Sequence, residues 1–320
     1  MNDSFIIAVD LGGTSFRVAL ADSAATFLNR NAEPTRASDG PRIGMQRIIE
    51  TIRTTASTVG MEKIKGIAVA TAGPIDPGNG VILTPPSLPS WHNVPLKQHL
   101  KEAFHIPVWV ESDADMAAVG EHRFGAGQGY DRLVYFTVST GIGGGIIIDG
   151  QLLRGSKISA AEIGHIIVDP RGPQCNCGGK GHVEAMASGT AIARMAKERI
   201  SHGSASSLVE LCQNDLSRLT AEMVVAAARK GDNLASEVVH EAGTSLGIAV
   251  VSLMHTLDPD IVIIGGGVSN AGDLILQPIR EVIADRAMID FRNRTKVVQS
   301  ALGDDSGLYG AIAFGLDKLG

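Results

Sequence analysis

Several things are scarce in this chain, and each scarcity narrows the reading. Of 320 residues only three are cysteines, too few for a disulfide framework and suited to a reducing compartment. Aromatic residues make up 4%. No apolar run reaches the ~18–20 residues that a membrane-spanning helix needs. Lysine and arginine total 28 against 34 acidic residues, for a net charge of −6, so a basic nucleic-acid-binding surface has no support. The opening MNDSFIIAVD lacks the basic segment and apolar core of a secretory signal. These features together predict a cytoplasmic protein with no membrane or nucleic-acid partner. Glycine, by contrast, is plentiful at 38 residues, and a 44% hydrophobic content suffices for a sizeable core and two domains.

Taken in order, FIIAVDLGG and FRVAL (residues 5–20) read as two strands joined at Gly12-Gly13-Thr14, with Asp10 at the mouth of the turn. Residues 29–41 read as polar and turn-like. The stretch IGMQRIIETIRTTAS then has helical spacing, and residues 63–76 form a strand running into a Gly-Pro turn. Residues 84–95 are a proline-rich irregular loop. A short helix, the strand IPVWV and a helix opening near Asp113 follow. Two successive βα units put Asp113 at the carboxyl end of a strand, where open α/β sheets place their sites. Residues 133–150 repeat the strand, Gly-rich turn, strand pattern of the N-terminus, an internal duplication of architecture. Helices are expected over 189–200, 207–230 and 235–257. The strand DIVIIGGGVSN, another helix, the strand TKVVQSAL and a closing helix complete an α/β chain with mixed sheets.

Three glycine-rich turns follow strands: Gly12-Gly13-Thr14, Thr140-Gly141 with the glycines beyond it, and Gly265-Gly266-Gly267. Their bare N–H groups can form anion-binding nests, to which Thr14 and Thr140 add hydroxyls. None matches the P-loop or a convincing dinucleotide fingerprint. Two phosphate-cradling hairpins and a third cluster for the nucleoside would make a nucleotide cleft, with Asp10 holding a hydrated Mg²⁺. Residues 161–189 carry His165, Cys175, Cys177 and His182, flanked by Glu162 and Glu184. Two thiolates and two imidazoles can hold one structural Zn²⁺ tetrahedrally. Cys212 is expected on the apolar face of a helix.

The DLGGT, ESDA, STGIGGGI, E-x-G-H, CNCGGKGHVEAMASG and IIGGGV segments, in that order, resemble the ROK family of sugar kinases and repressors, within the actin-like ATPase superfamily. The resemblance covers essentially the whole chain. It implies two ribonuclease H-like domains with mixed β-sheets flanking a nucleotide/sugar cleft. The smaller would comprise residues 1–113 plus 305–320, and the larger, with the zinc site, residues 114–304. It further implies ATP-dependent phosphorylation of a hexose, foremost glucose at the 6-hydroxyl, with Asp113 as general base. Sugar contacts fall to Gly73, Ser87, Ser112, Asp113, Glu162, His165 and Glu184. Phosphate contacts fall to Gly12, Gly13, Thr14, Thr140 and Gly141, and adenosine contacts to Gly265, Gly266 and Gly267. ATP, Mg²⁺ and structural Zn²⁺ are the implied cofactors, and a homodimer or dimer of dimers the implied assembly. Repressors of the family carry an added N-terminal helix-turn-helix, for which the nine residues before Asp10 leave no room. Three positions depart from the family pattern: His182 stands in place of cysteine, and Ser87 and Ser112 in place of asparagine. The two serines shorten the polar arms of the sugar pocket. They open the alternatives of N-acetylmannosamine, N-acetylglucosamine, mannose, fructose or allose as substrate. A sugar-binding regulator without turnover is the reading from another class.

Overall fold

The computed structural model describes residues 5–156 and 160–320. The chain divides into two compact units, unit 1 with Met1–Gln128, Arg154–Ile158 and Asp305–Gly320, and unit 2 with Gly129–Leu153 and Ser159–Asp304. In unit 1, β1 (Phe5–Leu11) runs antiparallel to β2 (Ser15–Ala21), with Asp10 opposite Arg17. β3 (Phe27–Pro34) pairs with β2 along its length. Residues 29–34 are therefore strand rather than turn. An edge strand has no partner on its outer side and needs no apolar run, so Asn29, Arg30, Asn31 and Glu33 hide it in the sequence.

After α1 (Gly40–Ala56) come β4 (Ile64–Thr71), the small pair β5 (Ile75–Asp76) and β6 (Val81–Ile82), α2 (Leu96–Phe104), β7 (Val108–Ser112) and α3 (Asp113–Phe124). The sheet order is β3-β2-β1-β4-β7, with β1, β4 and β7 parallel. β1 is covered on both faces. Ile7, Val9 and Leu11 pack in a core with Ile48, Ile52 and Trp91, while Ile6 and Ala8 pack with Leu308, Ala311 and Ile312 of the closing helix Ser306–Leu319. Ala68 and Ala70 on the second face are small enough for that helix to lie close against the sheet. The boundary expected at 113/114 falls at 128/129, because α3 packs on the closing helix. There the buried Glu121 accepts bonds from Ala126 N (2.8 Å) and Ser306 Oγ (3.2 Å).

Unit 2 repeats the plan. β8 (Leu133–Val138), β9 (Ile142–Ile148) and β10 (Gln151–Leu152) form the antiparallel part. The helices α4 (Val183–Ala187), α5 (Gly189–Ser201), α6 (Leu208–Leu211), α7 (Ala221–Arg229) and α8 (Asn233–Leu257) precede β11 (Ile261–Gly265), α9 (Asp273–Arg286) and β12 (Lys296–Gln299). The order β10-β9-β8-β11-β12, with β8, β11 and β12 parallel, matches that of unit 1. The helix expected over 207–230 is interrupted. Gln213 and Asn214 take φ of 57° and 60°, and Asp215 caps a short turn through Ser217 N (3.0 Å), so helical geometry cannot run through. Cys212 is buried at the end of α6. No helix among the described residues is long and apolar enough to cross a membrane.

Candidate active site

In unit 1 the site is built where β7 passes into α3. Ser112 Oγ accepts Asp115 N–H (3.1 Å) and so caps the helix, while Asp113 Oδ1 accepts Ala114 N–H (2.8 Å). Ser112 thus fills the capping role, and Asp113 is spared for other work. A helix N-terminus alone would lower the Asp113 pKa. The outcome is the reverse: loss of solvent to the surrounding protein, then the Asp10 carboxylate, push it up to about 6. The side chain still exposes surface to water, so it can reach a substrate and remains mainly ionised at neutral pH.

Two neighbours went unnoticed in the sequence. Burial raises Asp115 to about 7, and its Oδ1 is buried without a hydrogen-bond partner. Glu111, also buried, pairs with Arg154 at 2.5 Å, yet burial outweighs the arginine and raises its pKa. The acidic density of E-S-D-A-D was the available signal. Asp10 is ion-paired with Arg17, which also reaches Asp305 at 3.2 Å. Across the β1–β2 turn, Gly12 O accepts Thr35 Oγ1–H (2.7 Å) and Thr14 O accepts Thr35 N–H (2.9 Å). A Cβ at Gly13 would lie 2.5 Å from Ser87 O, so only glycine lets the irregular loop close on the turn. Ser87 and Gly13 are brought together. Gly73 follows β4, next to Ala72, whose N–H donates to Leu11 O at 3.3 Å; a Cβ added at Gly73 would meet only Ile75 N, at 3.8 Å.

In unit 2, His165 ends a short 3₁₀ turn and His182 is the residue before α4. One ligand atom from each of His165, Cys175, Cys177 and His182 falls within 4.8 Å of the others. Cys177 Sγ is 3.2 Å from His182 Nδ1, and Cys175 Sγ is 4.0 Å from His165 Nδ1. Burial pushes the Cys175 thiol up to about 11. Two sulfurs and two imidazoles so gathered are a donor set consistent with a structural Zn²⁺, whose charge would offset that cost. Glu162 is exposed, with Oε2 3.9 Å from His165 Nε2. Glu184 Oε2 accepts Ile142 N–H (2.9 Å), and Oε1 accepts the Cys175 thiol at 3.4 Å.

Beside these lies a cavity of about 1020 Å³ lined by Ser139, Thr140, Thr190, Glu222, Arg229 and Gly267. It is at the upper end of small-ligand pockets. Thr140 and Gly267 therefore meet at one cavity, with Gly265 at the end of β11 and Gly266 next in the chain. Ser139 opens the STGIGGGI segment, whereas Thr190, Glu222 and Arg229 carried no motif, since they come from elements far apart in sequence.

Two units of identical sheet topology, each with a glycine-rich hairpin turn, define the actin-like ATPase architecture. Within it the chain belongs to the ROK family, whose model matches residues 6–318. The glucokinase of Thermotoga maritima is 38% identical over 98% of each chain. A ROK family glucokinase from Streptomyces griseus, in complex with glucose and AMPPNP, is 34% identical over 97% of this chain and 98% of its own, with a TM-score of 0.83. The xylose repressor of Caldicellulosiruptor bescii is 28% identical over 96% of this chain and 77% of its own.

Proposed function

We propose that the protein is an ATP-dependent sugar kinase that phosphorylates glucose at its 6-hydroxyl. Glucokinases that match nearly the whole chain support the substrate. Family members also include repressors, and the observation that favours turnover is Asp113: an accessible carboxylate at a strand's carboxyl end, ionised at neutral pH. The sugar hydroxyl gives its proton to Asp113, its oxygen bonds to the γ-phosphorus, and the bond from that phosphorus to the ADP oxygen breaks. Gly12, Gly13, Thr14, Thr140 and Gly141 hold phosphates through N–H and hydroxyl groups, and Gly265 to Gly267 border the nucleoside. Asp10, a hard oxygen donor steadied by Arg17, is the residue suited to hold a hydrated Mg²⁺, which supplies charge neutralisation when bound with nucleotide.

Sugar contacts are assigned to Gly73, Ser87, Ser112, Asp113, Glu162, His165 and Glu184, as the family resemblance implies. His165, Cys175, Cys177 and His182 hold a zinc that shapes the fold. Cysteines in thiolate or thiol form, rather than in disulfides, suit a cytoplasmic setting, and the working form is a homodimer or dimer of dimers without nucleic acid. A second reading, an acetamido sugar or an epimer as substrate, is favoured by Ser112, whose oxygen is already engaged in the helix cap. ADP release with glucose, mannose, fructose, allose and both acetamido sugars decides. Glucose should give the highest kcat/KM. Another sugar ahead by more than about tenfold, roughly 1.4 kcal/mol, replaces glucose but keeps the kinase. Sugar binding without any ADP release makes the protein a regulator.

A further inference from the structure

Within unit 2, the segment that follows the metal-ligand cluster is also what holds the Ser139–Ile142 turn. His182 is the residue before α4, and Glu184 lies two residues beyond it. Glu184 Oε2 accepts Ile142 N–H at 2.9 Å, Gly189 N–H donates to Ser139 O at 2.7 Å, and Thr190 Oγ1–H donates to Thr140 O at 2.8 Å. The turn is thus fastened at three successive places by residues 184–190. The fit is close: a Cβ at Gly141 would lie 2.6 Å from Glu184 Oε2. On its other oxygen Glu184 accepts the thiol of Cys175, itself one of the four metal-ligand residues, at 3.4 Å. A single carboxylate therefore touches both the cluster and the turn.

We propose that Glu184 is a positioning residue that couples metal occupancy of the His165–Cys175–Cys177–His182 cluster to the Ser139–Ile142 turn, so that metal loading tightens the binding of nucleotide phosphates. The proposal rests on the reading above of zinc in the cluster and nucleotide at the turn. With the cluster loaded, His182 is pinned, α4 starts at a fixed place, and Glu184 presents Ile142 and its neighbours in one geometry. With the cluster empty, the same segment loses an anchor at its head, and the turn loses preorganisation for an anion. Coupling of this kind is reciprocal: if zinc tightens ADP, then ADP tightens zinc by the same factor.

The test uses the full-length protein, zinc and ADP, without sugar. Zinc affinity is measured by competition with a chromophoric chelator, with and without saturating ADP, and ADP affinity by calorimetry on zinc-loaded and zinc-stripped protein. Both routes should give the same factor, on the order of tenfold. In Glu184→Ala the factor should fall to about one, while zinc is still bound. Glu184→Gln keeps an oxygen for Ile142 N–H and should retain most of the coupling. Hydrogen exchange at residues 139–145 should slow on zinc loading in the wild type and not in Glu184→Ala, a change that a purely structural metal would not confine there. Zinc and ADP both binding with no mutual effect, or coupling that survives Glu184→Ala, overturns the proposal and leaves the kinase reading intact. Failure of the wild type to bind zinc or ADP at all overturns the underlying reading together with it.

Discussion

The two hairpin turns, Gly12–Thr14 in unit 1 and Ser139–Ile142 in unit 2, occupy equivalent places in sheets of equivalent order. They are braced differently. The first is closed by neutral groups: the Thr35 hydroxyl and N–H bond to Gly12 O and Thr14 O, and the Ser87 carbonyl rests where a Gly13 side chain would be. The second is closed by the Gly189 N–H, the Thr190 hydroxyl and a charged group, the Glu184 carboxylate, from a segment that begins at a metal-ligand residue. Repeating a topology therefore fixes where a phosphate turn lies but not what holds it rigid. At Gly13 the first turn meets backbone, which cannot swing away. Reliance on a charged side chain makes the second adjustable.

The largest effect belongs to unit 1. Asp113→Ala should leave sugar binding largely intact and lower kcat by roughly 10²–10⁴, the span for a lost general base. Turnover near wild type in steady-state kinetics would remove Asp113 from the chemistry. A matched pair of substitutions then breaks the comparison of turns directly. Gly13→Ala drives a Cβ into backbone at Ser87, which cannot step aside, and should cost about 1–3 kcal/mol in chemical denaturation. Gly141→Ala meets only the end of the Glu184 side chain, which can swing away, so stability should change less while ADP affinity falls. Equal losses of stability would mean the two turns are braced alike. The smallest effect is expected from Ser112→Asn. Asparagine caps helices about as well as serine, so stability should move by less than about 0.5 kcal/mol. The added amide should lower KM for glucose several-fold, and an unchanged KM would place specificity elsewhere.

What was legible in the sequence followed from pattern and what was not followed from distance. The buried strands β1, β4, β8 and β11 announced themselves as apolar runs, and the glycines marked their ends. β3 did not, because its edge position asks for no apolar residues. The interruption near Asn214 hid in an otherwise helical stretch, since only the backbone's turn to positive φ reveals it. Among site residues, the four metal-ligand residues lie within 18 positions and could be read as a group. Arg154 beneath Glu111, or Thr190 and Arg229 beside Thr140, could not, because they meet only through the fold. The upward shift of the Asp113 pKa was hidden for the same reason: the helix start is local and visible, whereas the loss of solvent and the Asp10 charge are not.

The most direct test is the pH dependence of kcat/KM for glucose. A general base must be deprotonated, and with the Asp113 carboxyl raised to about 6 it becomes protonated as the pH falls through that value. The wild type should therefore hold a plateau above about pH 7 and lose close to tenfold per unit well below 6. In Asp113→Asn that limb should vanish from whatever slow turnover remains. An acid limb near pH 4, the ordinary carboxylate range, or one that persists unchanged in Asp113→Asn, would contradict the account.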